Sequence, residues 1–252
     1  MKNPVFDMTH SATRLIASLL LTALMAAPFT ANAGLNEGLA AYDRAEYATA
    51  LKELTPLAEE GNAKAQYRLG RMSNLGQGLP PDKKEAAKWF HLAAQQGLAE
   101  AQGALGYLCL VGEGVQQNSD LALEWTRKAA QQGEATAQFN LSTMHSEKFG
   151  VQKNPVESLK WLRKAADQRH VQAMNTLGSL YETGQAGVKR NPVFAHMLFD
   201  ASAEKGDSTA VTRRQTLEKS LSASELRASK ELARKWKPGT SLAKTLGSGA
   251  SS

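Results

Sequence analysis

The sequence predicts an all-α solenoid of about four 36-residue helix–turn–helix repeats between shorter capping hairpins. The first observation is periodicity. Trp89, Trp125 and Trp161 are 36 residues apart, as are Leu69, Leu105, Leu141 and Leu177, and Ala65, Ala101, Ala137 and Ala173. Self-similarity at a period of about 20–50 residues is the signature of stacked repeats, each of which buries its apolar face only against its neighbours. The second is that apolar residues inside each copy fall at helical spacing. The third is a glycine-rich turn followed by Asp or Asn in every copy. The fourth copy carries one extra residue near Gly184–Gly187, so that Leu198 stands at the tryptophan position and Gly206 closes the copy as Gly97 and Gly133 close theirs.

The N-terminus reads as an export signal. Lys2 and Arg14 make a basic leader, and Leu15 to Ala27 is an apolar run of signal-peptide length, short for a membrane span. Ala31-Asn32-Ala33 is an A-x-A cleavage site, which places the signal peptide at 1–33 and the mature start at Gly34. No cysteine follows the site to carry a lipid, and no later stretch is apolar enough to span a bilayer. The expected location is the bacterial periplasm, with full secretion as the other outcome. Cleavage removes two cations and one anion, lowering the net charge from +6 to +5. That mild excess points weakly to acidic partners and hardly at all to nucleic acid. Cys109 is the only cysteine, so no internal disulfide forms and stability must come from packing.

Residues 34–60 read as an N-terminal capping hairpin with Leu39, Tyr42, Tyr47, Leu51, Leu54 and Leu57 on its apolar face. Asp43-Arg44-Ala45-Glu46 is its turn, and Pro56, which lacks a donor and crowds the preceding turn, should kink its second helix. The repeats follow at 61–96, 97–132, 133–168 and 169–205. The first helix of each presents a column at i, i+4, i+7 and i+8: Ala65, Leu69, Met72, Ser73; Ala101, Leu105, Leu108, Cys109; Ala137, Leu141, Met144, His145; Ala173, Leu177, Leu180, Tyr181. A glycine after the leucine in three copies (Gly70, Gly106, Gly178) costs about 1 kcal/mol against Ala in a helix. A cost paid three times implies a close approach of helices, and Ser142 is the exception. Asp82, Asn118, Asn154 and Asn191 suit N-caps. Glu85 and Glu157, three residues on from Asp82 and Asn154, suggest capping boxes. Pro155 and Pro192 fit the first helical position. The second helix should bury Ala86, Trp89, Phe90, Ala93 and Ala94 and their equivalents. A C-terminal cap at 206–236 contains a Ser222–Glu225 capping box before Leu226, Leu232 and Trp236, and the Pro-, Gly- and Ser-rich tail 237–252 reads as disordered.

These residues resemble the Sel-1-like repeat, a relative of the tetratricopeptide repeat. The shared pattern is Ala65, Leu69-Gly70, the Gly76-Gln-Gly78 turn, Asp82, Ala86, Trp89 and Ala93-Ala94-Gln95-Gln96-Gly97. The resemblance covers about 61–206 and implies a right-handed stack whose first helices line a concave binding face. The column where the family often carries Tyr holds Ser73, Cys109 and His145, and only Tyr181 conforms; Lys148 replaces a turn glycine. The resemblance further implies an adaptor: an exported, non-enzymatic scaffold or regulator of an envelope complex or sensor, with another envelope protein or a peptide segment as partner. The alternatives are a glycan- or peptidoglycan-binding or cell-wall-modifying protein and, further off, a β-lactam-binding one.

Little in the sequence points to catalysis. His91, His145, His170 and His196 form no H-E-x-x-H and no Cys/His pairing, so neither a metal nor a cofactor is expected. His145 reads as an interior or groove-edge histidine and Cys109 as a small buried group. There is no G-x-S-x-G, and Gly112-Glu-Gly114 lacks the third glycine of a dinucleotide loop. Ser241-Leu-Ala-Lys244 matches S-x-x-K without companion motifs. Arg127, Lys128, Arg163 and Lys164 make a basic stripe best read as cations offsetting helix dipoles. On an extended concave face the candidate binding residues are Tyr67, Arg68, Arg71, Asn74, Tyr107, Phe139, Asn140 and Glu182. Exposed Tyr and Arg are typical interface anchors.

Overall fold

A computed structural model describes residues 27–146, 152–236, 241, 242 and 244. Twelve helices and no strands occur among them. They run α1 (Ala27–Asp43), α2 (Tyr47–Glu59), α3 (Ala63–Leu75), α4 (Lys83–Gln95), α5 (Ala99–Val111) and α6 (Ser119–Gln131). Then come α7 (Ala135–Ser146), α8 (Pro155–Asp167), α9 (Val171–Thr183), α10 (Pro192–Ala203), α11 (Ser208–Glu218) and α12 (Ala223–Lys235). Each helix packs on the next, so the chain is an all-α solenoid of stacked hairpins with additional helices at both ends. The first helices of successive pairs also meet directly, α1 with α3 and α5 with α7. The first helices α3, α5 and α7 share one face of the stack, the one expected to be its inner, concave side.

Residues 1–26 of the expected signal peptide lie outside the described residues, and α1 runs through Ala31-Asn32-Ala33. The α1 residues in the described core are Leu35, Leu39, Ala41 and Tyr42, all beyond that site. Pro56 sits within α2, which continues to Glu59. Pro56 and Lys52 are exposed, so the Lys52 carbonyl that Pro56 cannot serve faces water. The turn before α2 places Ala45 at φ +60, and Arg44 braces it against Glu37 and Glu46.

The apolar columns are buried in every copy, from Ala65, Leu69, Met72 and Ser73 to Ala173, Leu177 and Tyr181, with Leu180 only partly covered. The glycines after the leucines mark the closest approach of paired helices. A Cβ at Gly70 would lie 2.6 Å from Phe90 Cδ1, at Gly106 2.5 Å from Thr126 Oγ1, and at Gly178 2.8 Å from Phe199 Cε1. In the third copy Ser142 occupies this place, and its hydroxyl meets that of Ser158 at 3.1 Å. Gly114 packs its backbone against the preceding repeat: at φ +72 a Cβ would fall 2.0 Å from the Lys83 carbonyl oxygen.

Asp82, Asn118, Asn154 and Asn191 cap their helices, accepting from Glu85, Leu121, Glu157 and Phe194 amides respectively. The expected boxes at Glu85 and Glu157 do not close. The amides of Asp82 and Asn154 already donate to the Ser73 and His145 carbonyls, at 2.8 and 2.9 Å, so the glutamates turn to Lys88 and Lys160 instead. The Ser222–Glu225 box does close.

Two of the three repeat tryptophans sit higher in the packing than the sequence suggests. Trp89 and Trp125 are half-buried, while Phe90 and Leu162 lie deep and Trp161 is 8 % exposed. Their outer faces are covered by cations: Lys128 lies 4.4 Å from the Trp125 ring centre and Lys164 4.5 Å from that of Trp161. The basic stripe therefore covers aromatic surface as well as closing helices.

Within the segment expected to be disordered, Leu242 is an exception. Leu242 is buried in the C-terminal core, and its amide donates to Asp167 Oδ1 at 2.6 Å. An apolar side chain and a paired backbone donor offset the ordering cost there; residues 237–240, 243 and 245–252 lie outside the described residues.

Candidate functional site

A buried amide ladder fixes the inner helices. Gln66, Gln102 and Gln138 each donate to a carbonyl of the preceding helix (Ala58, Ala94 and Ala130) at 3.0–3.2 Å. Each also accepts from the glutamine 30 residues on, Gln96, Gln132 and Gln168, at 2.7–2.9 Å. The fourth copy replaces both members, with Met174 and Lys205. A buried amide left without partners costs about 1–3 kcal/mol, so the two positions must change together.

On this frame the inner face carries a pocket of about 310 Å³ formed by α3, α5, α7 and the turn before α7. Its walls are Tyr67, Tyr107 and Asn140, its carboxylates Glu100 and Glu134, and its floor Gly103 and Ala104, with Thr136 at the rim. The pocket exists because the second copy is small where the others are large. Gly103 stands in the column of Tyr67, Phe139 and Asn175, and Ala104 in that of Arg68, Asn140 and Thr176. Tyr107 is 49 % exposed, and Tyr67 packs its ring 5.7 Å from that of Phe90. Burial pushes the Tyr67 phenol above its ordinary pKa; Arg71 and Arg68 oppose this, and Glu100 and Glu134 add to it. Glu134 is held in place because its carboxylate accepts the Thr136 and Ala137 amides at the start of α7.

The eight candidate residues thus divide. Tyr67, Tyr107 and Asn140 share the pocket. Arg68 and Arg71 lie at its α3 edge with their guanidinium carbons 4.8 and 5.6 Å from the Tyr42 ring centre. Asn74 accepts Lys83 Nζ at 2.9 Å, Phe139 stacks on His170 at 5.1 Å, and Glu182 pairs with Arg213 at 2.9 Å, so these three are engaged within the chain. Glu100, Glu134, Gly103, Ala104 and Thr136 were not among the candidates. The signal for them was the size change between aligned columns, which is visible only when copies are compared position by position.

Two other groupings bring together residue types used in catalysis. His196 Nδ1 lies 2.8 Å from Ser229 Oγ and Nε2 3.4 Å from Glu218 Oε1, a Ser/His/Glu set. Ser229 is 1 % and His196 2 % exposed, so the set pins α10 to α11 and α12 and offers a substrate no access. Ser241 and Lys244 form one turn in which the Lys244 amide donates to Ser241 Oγ at 3.3 Å. His145 is buried with Nδ1 unpartnered among the described residues, and burial raises the Cys109 thiol pKa. Among the described residues no group of three or more metal-ligating side chains occurs, and no helix is long and apolar enough to cross a membrane.

Helical hairpins on a 36-residue period, clamped by glycine contacts and a glutamine ladder, define an α-solenoid repeat protein. The model of the Sel1 repeat matches residues 63–98, 99–134, 135–170 and 171–207, and the chain belongs to that family. The crystal structure of a Sel1 repeat protein from Oxalobacter formigenes is similar at 34% identity and a TM-score of 0.61, over 70% of each chain. A putative Sel1 repeat protein from Klebsiella pneumoniae shares the fold at 16% identity and a TM-score of 0.52, over 78% of this chain and 97% of that one. No curated protein matches. Repeats of this family are in general protein–protein interaction scaffolds.

Proposed function

We propose that the protein is an exported, non-enzymatic scaffold or regulator of the bacterial envelope that docks a partner protein or peptide segment on its inner face. The observation that carries this reading is the pocket at Tyr67 and Tyr107. Here the side chains of Tyr67, Tyr107, Asn140 and Glu100 line one pocket and make no side-chain hydrogen bond among the described residues. Half-exposed tyrosines beside unpaired polar tips are what an interface anchor requires. The burial of Ser229 and His196 supports a binding role over a catalytic one. Export to the periplasm rests on the leader from Lys2 to Ala33. Cleavage after Ala33 retains Leu35, Leu39 and Tyr42, which pack the first hairpin.

The test is photo-crosslinking in the cell envelope from two positions, Tyr107 on the inner face and the exposed Lys160 on α8. Capture of one protein from Tyr107 alone is the expected result. Equal background from both positions, with retention of the protein on sedimented peptidoglycan, would overturn it in favour of glycan binding.

A further inference from the structure

We infer that the pocket at Gly103 receives a single cationic side chain, arginine ahead of lysine, from an otherwise neutral or acidic partner segment. This rests on the inner face being the docking surface.

Several carboxylates are paired with cations, as Glu85 is with Lys88, Glu124 with Lys128, Glu157 with Lys160, Glu182 with Arg213 and Asp200 with Arg214. The two that line the pocket are not. Glu100 makes no ion pair among the described residues, and Glu134 is fixed by two backbone amides that leave its charge uncompensated by any side chain. Both lie close enough to Tyr67 to raise its pKa. Arg71 and Arg68 act on the same phenol in the opposite sense, but the charged side chains that line the pocket itself are both carboxylates, in a chain that is basic as a whole, at +6.

The walls fit the same ligand. Tyr107 is half exposed, while the Tyr67 ring already has the Arg68 guanidinium carbon 5.8 Å from its centre. A guanidinium both stacks on ring faces and forks onto carboxylates. The molecule already makes this contact internally, with Arg68 over Tyr42. At about 310 Å³ the space lies at the small end for ligand sites, suited to one side chain rather than a folded element. Arg68 and Arg71, close enough to act on the Tyr67 phenol, oppose an accumulation of positive charge here, which favours one cation over a run of them.

The experiment is a titration of 15N-labelled protein followed by NMR. The probes are acetyl-Gly-Gly-Arg-Gly-Gly-amide and its analogues with Gln, Glu or five consecutive Arg residues. At millimolar concentration the single-arginine peptide should move the Tyr67, Gly103 and Tyr107 amide signals, and the Gln and Glu peptides should not. Glu100→Gln should weaken binding by about 3-fold, the scale of a partly exposed charge pair. Ala104→Leu should abolish it by filling the floor, with signals of the C-terminal helices unchanged. Equal shifts from the Gln peptide, tighter binding of the penta-arginine, or shifts confined to other surfaces would overturn the inference. A partner captured at Tyr107 without any arginine response would sink this inference and leave the scaffold reading standing. Absence of both would sink both.

Discussion

The Arg169 guanidinium carbon lies 4.2 Å from the centre of the Trp236 ring, and its Nη2 donates to the Trp236 carbonyl. Arg169 holds this clasp at φ +60, at the place where Gly61, Gly97, Gly133 and Gly206 close the other units. A non-glycine residue in the left-handed region costs about 1–2 kcal/mol, here offset by the cation–π and hydrogen-bond contacts that anchor the C-terminal cap. Arg169→Ala should lose the clasp and keep the strain, whereas Arg169→Gly loses both. Urea unfolding should therefore show the alanine variant about 1 kcal/mol less stable than the glycine variant.

The glycines facing the second helices set the spacing of each pair. Gly106→Ala improves helix propensity by about 1 kcal/mol. It also drives a methyl group against Thr126, whose Oγ1 is 2.5 Å and whose backbone nitrogen is 3.0 Å from the new Cβ. Overpacking against backbone should win by about 1–3 kcal/mol, giving net loss in thermal unfolding. A gain in stability would mean that the pair opens without cost.

The glutamine ladder predicts coupling. Gln102→Met should cost about 1–3 kcal/mol, because the Ala94 carbonyl loses one of its donors and the Gln132 side-chain amide its acceptor. Combining it with Gln132→Lys reproduces the Met174/Lys205 pair of the fourth copy. The double variant should be less destabilised than the sum of the singles by about 0.5 kcal/mol or more in a double-mutant cycle.

Asp167 carries a pH signature. Burial raises its carboxyl pKa, against the opposing effects of the Leu242 amide and Arg163. The folded state therefore binds this proton more tightly than the unfolded chain, and the group's contribution to stability falls as pH rises above the ordinary value of 3.8. Asp167→Asn can still accept the Leu242 amide. It should be more stable than the parent near neutral pH, with the difference closing below 3.8. Urea midpoints at the two pH values decide this.

The columns, caps and clamping glycines were legible because each rests on a local rule repeated in four copies. Phe90 and Trp89 exchanged depth because periodicity assigns both to one face and does not say which lies under the seam. Leu242 was hidden because a Pro-, Gly- and Ser-rich composition says nothing of a single apolar side chain that packs. The Arg169 clasp depends on a partner 67 residues away, although the loss of glycine from its column was visible. For the site, Tyr67, Tyr107 and Asn140 followed from helical position. Glu100 and Glu134 did not, because a first-turn glutamate and a capping glutamate look local until the gap at Gly103 brings them to one pocket.

The most direct test of the inner-face account is the dissociation constant of the partner captured at Tyr107, measured with the parent protein, Tyr107→Ser and Lys160→Ser. Tyr107 is exposed enough that its removal leaves the core intact. The account predicts about 10-fold weaker binding for Tyr107→Ser and no change for Lys160→Ser. Unchanged binding for Tyr107→Ser, with loss at Lys160→Ser, would contradict it and move the docking surface to the outer helices.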